Sequence, residues 1–356
     1  MTTTAINGAL PIRADASYKI STWLGLLTLG LSFASIAQQP LECNRQTACE
    51  FQVYIENDSI GSGSDRYYTN GIKLGGGVSA EPVIERLLKM PAERVLQSIT
   101  DNRGNLQFGL FFGQNLYTPK RIAVAGPQPL DRPWAAWLYL GGVAQNVEGN
   151  RLQTVELDLG LIGPAALGKP VQTTWHQLVD ADRPQGWNNQ LRNEPGLLLA
   201  YMEKLRYGSV SGVQAVPHFG ITIGNVMTLA RAGGIVRLGH NMSGFGPDTI
   251  EPGGAMLQRS RQIDEGSERS APEWYVFLGV DGRLVARNIF LDGNSFRESA
   301  SVDRRTFVHD FKAGVSVRIT PLRISVTHVR RSAEFFTSLG SGGIQQFQSF
   351  NVSWEF

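Results

Sequence analysis

Residues 51–71 read FQVYIENDSIGSGSDRYYTNG, and their pattern decides the fold. Phe51, Val53 and Ile55 alternate with Gln52, Tyr54 and Glu56. Side chains of an extended chain point to opposite sides in turn, so this period of two marks a strand whose faces meet different surroundings. The alternation breaks at Asn57-Asp58, crosses Gly61-Ser62-Gly63-Ser64, and gives way to Tyr67-Tyr68-Thr69-Asn70-Gly71. The Gly/Ser run reads as a flexible strand-to-strand loop. Carboxylate, amide and hydroxyl groups therefore gather where two neighbouring strands end.

Outward from this stretch the alternation recurs. Val155, Leu157 and Leu159 oppose Thr154, Glu156 and Asp158, and Phe219, Ile221 and Ile223 oppose Gly220, Thr222 and Gly224. Phe307, Phe311, Ala313, Val315, Val317 and Ile319 share one face, against Val308, Asp310, Lys312, Ser316 and Arg318. Phe350, Val352, Trp354 and Phe356 end the chain against Asn351, Ser353 and Glu355. With weaker segments at 71–78, 106–112, 135–143, 196–205, 233–239, 274–285 and 324–329, the series predicts about twelve strands, each able to cross a bilayer when tilted. A soluble sandwich would use shorter strands, nearer about 5–6 residues. The expected fold is all-β: a transmembrane antiparallel up-and-down β-barrel with tight turns at one rim and long extracellular loops at the other. Ile84, Leu87, Leu88, Val95 and Leu96 add a short amphipathic periplasmic helix over 81–99. Residues 243–271, polar and Gly-rich, read as a long mobile connection without an assigned role.

The rest of the composition is consistent with this. Charged residues are only 18% of the 356, below the usual quarter of a soluble domain, while glycine is abundant at 40. A net charge of +2 provides no field for nucleic acid. Arg13 and Lys19 precede a short apolar run at 23–31, followed by Ser35-Ile36-Ala37. That is a signal peptide over 1–37, too short in its apolar core to span a membrane. Residues 38–50 form an N-terminal periplasmic segment in which Cys43 and Cys49 are expected to close a small disulfide loop. The barrel then occupies 51–356, ending on the aromatic Phe356, a terminus that barrel assembly machinery reads in many outer-membrane proteins.

Of five histidines, His218, His240, His309 and His328 sit in or beside strands, where rim or lumen hydrogen bonding suffices to explain them. His176 lies instead in a long connection among aromatics and carboxylates. If the N-terminus starts on the periplasmic side, Asn57, Asp58, Thr69, Lys120, Arg121 and His176 all fall at the outer rim. An imidazole, a hard carboxylate, a hydroxyl and a basic pair are the parts of a metal-assisted ester hydrolase. The imidazole would take a proton from water, Ca2+ on oxygen ligands would polarise the acyl carbonyl, Thr69 would hold the oxyanion, and Lys120 with Arg121 would grip a phosphate. No GxSxG elbow and no phosphate-binding glycine loop competes.

At these residues the chain resembles the lipid A 3′-O-deacylase family of outer-membrane barrels. The motifs are Asn57-Asp58, Asp65-Arg66-Tyr67-Tyr68-Thr69-Asn70-Gly71, Gln114-Asn115-Leu116-Tyr117-Thr118-Pro119, Ile162-Gly163-Pro164, and Gln172 with His176 as Q-x-x-x-H. The resemblance implies a twelve-stranded barrel and calcium-dependent hydrolysis of the ester that carries the acyloxyacyl group at the 3′ position of lipid A. It implies His176 as general base, Asn57 and Asp58 around the calcium site, Thr69 beside the oxyanion, and Gln172, Lys120 and Arg121 on the substrate. Where a family example has Glu six residues after the histidine, this chain has Asp182; Asp180 is a rival, at i+4 from His176 if a short helix forms there. Asp58 and Asp182 are the expected metal ligands.

The expected partners are lipopolysaccharide, the outer-membrane lipids and the assembly machinery, with the chain a monomer in a Gram-negative outer membrane and its site facing the outer leaflet. Two other readings stand beside this one: an esterase acting on another lipid, such as a phospholipid, and a porin-like or structural barrel that only binds divalent cations at its rim.

Overall fold

The computed structural model describes residues 50–59, 66–77, 105–208, 212–250, 271–337 and 340–355. The expected signal peptide, the cysteine pair, the helix at 81–99, the Gly/Ser run and most of the 243–271 connection lie outside these residues.

Twelve strands close into one antiparallel barrel. They are β1 (Glu50–Asn57), β2 (Tyr67–Gly77), β3 (Asn105–Thr118), β4 (Ala135–Glu148), β5 (Arg151–Ile162), β6 (Glu194–Leu205), β7 (Val213–Gly224), β8 (Met227–His240), β9 (Glu273–Asn288), β10 (Phe307–Ile319), β11 (Leu322–Arg331) and β12 (Gln345–Glu355). Each pairs with its sequence neighbours, and β1 closes on β12 from Glu50 opposite Glu355 to Asn57 opposite Gln348. A small hairpin, Phe336–Thr337 with Gly340–Ser341, sits between β11 and β12. Closure satisfies the backbone groups of every strand within the wall, the condition for strands to stand in hydrocarbon.

The two faces of the wall are inverted relative to a water-soluble barrel. Phe51, Ile55, Phe112, Leu140, Leu157, Leu159 and Phe311 are exposed on the outside, whereas Gln52, Glu56, Glu156, Asp158, Asp281 and Asp310 are buried inside. That arrangement is stable only if the outer surface meets lipid. Phe51, Trp274 and Trp354 stand exposed where β1, β9 and β12 approach the rim that carries the N-terminal end of β1. We call this the lower rim, and the rim holding Asn57 the upper.

The lumen is filled. Lys73 Nζ donates to Glu156 Oε1 at 3.0 Å and lies 3.8 Å from the centre of the Phe111 ring. Asp310 accepts from Arg283 at 2.5 Å and from Arg331 at 3.0 Å, and Glu273 from Arg318 at 3.1 Å and Arg323 at 2.7 Å. Pairing of this kind is what allows charges to be buried at all.

One connection departs from expectation. Residues 241–250 leave β8 at the lower rim, on the same side as the tight turns at 149–150 and 320–321, while the 225–226 turn between β7 and β8 is tight at the upper rim. The described part of this connection is a plug. Arg237 donates to the carbonyls of Ser243 (2.9 Å) and Gly244 (2.7 Å), and Phe245 packs with Val147, Leu152 and Val216. Asp248 pairs with Lys204, and the Ile250 N–H donates to Glu56 Oε1 at 2.9 Å. Polarity misled the sequence reading here because the lumen is itself polar, so a polar, Gly-rich segment can be buried.

With its lumen occupied in this way, the purified barrel in planar lipid bilayers is expected to show no porin-like conductance steps. Regular, long-lived steps from the wild-type chain would contradict the plugged lumen.

Candidate active site

The candidate residues lie at the upper ends of β1, β2 and β3 and on the chain that follows β5. On β3, Phe111 and Tyr117 face the lumen: Phe111 meets Lys73, and Tyr117 stacks on Phe290 at 4.0 Å. By alternation Phe112, Gln114, Leu116 and Thr118 face outward. Phe112 is exposed, but Gln114, Leu116 and Thr118 are buried. On β1, Asn57 continues the outward face of Phe51, Val53 and Ile55, and it too is buried. The wall is therefore covered on its lipid side at this rim.

The register between β2 and β3 shifts between Tyr68 and Asn70. A bulge inserts a residue and re-aims the side chains around it. Tyr68 stays in the lumen, its hydroxyl on Glu56 Oε2 at 2.7 Å, while the Thr69 hydroxyl meets that of Thr118 at 2.6 Å. Across the neighbouring pair, Asn57 stands opposite Asn70, and the Asp58 N–H donates to the Thr69 carbonyl at 3.2 Å. Asp58 is fully buried and its Oδ2 accepts from the Arg66 N–H at 2.6 Å; Asn57 Oδ1 accepts from the Ser59 N–H at 2.8 Å. Asn57, Asp58, Thr69 and Thr118 thus form one polar patch fixed by backbone register.

The cover starts at Gly163, whose φ of +93° and lack of a Cβ let the chain turn out of β5; an added Cβ would lie 2.6 Å from the Arg192 carbonyl carbon. A 3-10 turn (Pro164–Ala166) leads into α1 (Gly168–Val179). Gln114 Nε2 donates to the Ala166 carbonyl at 2.6 Å, tying the turn to β3. Gly168 presses against the wall so closely that a Cβ there would meet Trp187 at 2.5 Å and the Ala136 Cβ at 2.6 Å. Leu116, Ile122, Trp134, Ala136, Ala166 and Trp187 pack together between wall and cover. The Gln185 N–H donates to the Ile122 carbonyl at 2.8 Å, binding the chain after α1 to the β3–β4 connection.

Gln172 and His176, one turn apart, are the buried polar side chains of α1. Gln172 Oε1 accepts from Trp187 Nε1 at 2.7 Å. Asp180 leaves the helix in a left-handed conformation (φ +54°), and its N–H and that of Ala181 both donate to the His176 carbonyl. The chain then doubles back so that the Asp182 carbonyl meets His176 Nδ1. A carbonyl oxygen can only accept, so this contact requires a proton on Nδ1. In the neutral ring Nε2 then holds the lone pair, the form a general base needs.

A model of the family described as outer membrane protein LpxR matches residues 23–356. The chain belongs to the LpxR family. This agrees with the resemblance carried by the sequence motifs. LpxR from Salmonella typhimurium has the same fold: TM-score 0.69 at 20% identity, covering 86% of this chain and all of that one. The β domain of the Bordetella autotransporter BrkA is a more distant barrel, with TM-score 0.41 and 12% identity, covering 87% of this chain and 97% of that one. No curated protein matches the sequence.

The other residues singled out in this LpxR-family chain divide into two groups. Lys120 and Arg121 stand exposed on the β3–β4 connection, whose shape is set by the Lys120 N–H on Asp131 Oδ2 (2.9 Å) and Gln128 Nε2 on the Arg121 carbonyl (2.9 Å). The buried cation of this connection is Arg132, which bonds Glu334 at 3.1 Å and lies 4.8 Å from the centre of the Tyr117 ring. The Asp180 and Asp182 side chains are exposed. No group of three or more His, Cys, Asp or Glu side chains suited to a metal gathers among the described residues. His218 bonds Asp281 at 2.8 Å and His328 Nδ1 accepts from Gln348 Nε2 at 2.7 Å; His309 and His240 are exposed.

Sequence reasoning missed Thr118, Trp187 and the Asp182 carbonyl. Thr118 was within reach, since its motif ends on it, but its partner depends on a bulge that the sequence does not reveal. Replacing Thr118 with Val keeps the volume and removes the hydroxyl opposite Thr69. The variant is expected to lose about 1–2 kcal/mol in reversible urea unfolding, the cost of disturbing a buried hydroxyl. An unchanged unfolding midpoint would show that Thr69 does not depend on this bond.

Proposed function

We propose that this LpxR-family barrel is an outer-membrane esterase that removes the 3′-O-linked acyloxyacyl chain of lipid A, with His176 as general base. One observation carries the reading: the imidazole is buried under a cover on the lipid side of the wall, with Nδ1 turned to a backbone carbonyl. A lipid held in the leaflet reaches that face without entering the barrel. A cation bridge at the rim needs carboxylates but no imidazole held in a defined tautomer, and a pore needs an open lumen.

In this reading the upper rim faces the outer leaflet. His176 Nε2 takes a proton from water as the water oxygen attacks the ester carbonyl carbon. The negative charge that develops on the carbonyl oxygen is met by Thr69 and Asn57, held in place by strand register rather than by loops. Collapse breaks the bond between the acyl carbon and the 3′ oxygen, and the imidazolium returns its proton to that oxygen. The products are a carboxylic acid and a 3′-hydroxyl. Gln172, on the same buried face as His176, orients the cover through Trp187 and lines the substrate side. Lys120 and Arg121, exposed on the neighbouring connection, suit a lipid phosphate.

Asp58 and Asp182 would offer carboxylate oxygens, the donor type that suits Ca2+ rather than a softer metal. Bound there, the ion would supply Lewis-acid polarisation of the ester carbonyl. Asp58 is buried at the wall and Asp182 lies on the segment that folds back to His176, so each would approach from a different side.

Mass spectrometry of lipid A from cells producing the wild-type chain should show loss of the 3′ acyl groups, and His176→Ala should abolish it. Unchanged lipid A at saturating calcium, or equal loss with the variant, would overturn the proposal; cleavage of phospholipid alone would reassign the substrate. Asp182→Ala separates carboxylate from carbonyl. It keeps the carbonyl at Nδ1 and removes the proposed metal ligand, so the calcium needed for half-maximal rate should rise about tenfold or more, with the rate at saturating calcium little changed. An unaltered calcium response would remove Asp182 from the metal site.

A further inference from the structure

Helix α1 has two unlike flanks on either side of its buried seam. Gln172 and His176 mark the seam. On one flank Val171, Trp175 and Leu178 follow at i, i+4 and i+7; on the other come Lys169, Thr173 and Gln177. Val171 packs against the cluster under the cover. Trp175 and Leu178 do not: they are 47% and 46% exposed, beside Leu167 at 51% and Val179 at 50%. So many large apolar side chains exposed on one short element mark a contact surface rather than scattered surface hydrophobics.

What covers this flank follows from the strand that leads to it. Leu157, Leu159 and Leu161 of β5 stand outward and exposed in the lipid-facing band, and the chain passes from them through the turn at 163–167 directly into α1. The apolar flank thus continues an interface already assigned to hydrocarbon. Trp175 carries an indole N–H on an apolar ring, the chemistry that favours the boundary between acyl chains and headgroups. Lys169, on the opposite flank, donates to Asn188 at 3.1 Å on the exposed surface. Polar groups above and apolar groups below are what a helix lying in the plane of a membrane surface requires.

We propose that the outer flank of α1 is embedded in the acyl chains of the surrounding leaflet, and that this contact holds His176 at the depth of the ester it attacks. Trp175 and Leu178 are then positioning residues that act through the helix. The inference rests on the hydrolase reading for its second half and on geometry alone for its first.

The test uses the full-length barrel in phosphatidylcholine vesicles whose acyl chains carry bromine either close to the headgroup or near the methyl end. The emission that Trp175→Phe removes should be quenched strongly by the shallow label and weakly by the deep one. Trp175→Gln combined with Leu178→Gln should raise KM for lipid A in mixed micelles about tenfold, in line with the apolar area lost, while kcat stays within about twofold. Absence of quenching would overturn the proposal. So would cross-linking between copies through a cysteine at Leu178, which would assign the flank to a second chain. An unchanged KM with quenching intact would overturn the positioning role. Quenching without hydrolysis by any version of the protein would support the lipid contact and count against the esterase reading, so the two failures are distinguishable.

Discussion

Everything in this structure depends on one requirement: a strand in hydrocarbon must pair all its backbone N–H and C=O groups within the wall. Closure of β1 on β12 meets it. The consequence is a strict division of side chains, apolar outward and polar inward. Such a wall leaves little place for a polar reaction centre on the lipid side. Asn57, Thr69 and Thr118 occupy that side at the last turn of register before the strands end, where a cover can bury them. A site that must meet a lipid ester is therefore confined to the rim, and a rim site must bring its own roof.

The roof determines what the histidine can be. His176 Nδ1 is met by the carbonyl of Asp182. A carbonyl can only accept, so this acceptor fixes the proton on Nδ1 through the fold of the backbone. Asp58 is buried at the wall, and the Asp182 side chain is exposed.

Much of the barrel was legible from residue alternation. β10 and the lower half of β12, from Phe350 on, could be read from their alternation, because their outward residues are mostly apolar and their inward ones mostly polar. The upper half of β3 could not. From Gln114 to Thr118 every side chain is buried, and polar and apolar residues occur on both faces. The two-faced signal fails where the wall is covered, and that failure coincides with the site. Residues 243–250 were misread for the converse reason: a polar segment looked like a surface loop, although the interior it enters is polar. His176 was conspicuous as the histidine outside the strands. The group that orients it was not, because a backbone carbonyl is present at every residue and only the chain reversal after Asp180 selects the one at Asp182.

The plug and the roof solve related problems at opposite faces of the same wall. Inside, Arg237, Lys204 and Glu56 hold residues 243–250 through buried polar contacts, which resist exchange because each partner would be left unsatisfied. Outside, the roof rests on an aromatic cluster, a few hydrogen bonds and the close approach at Gly168. Contacts of that kind fix a helix along its seam yet allow it to tilt about the seam. A lipid that wedges between α1 and the wall would need only such a tilt, whereas entry through the lumen would require dismantling ion pairs. The physical asymmetry between the two faces thus favours access from the leaflet over access through the lumen.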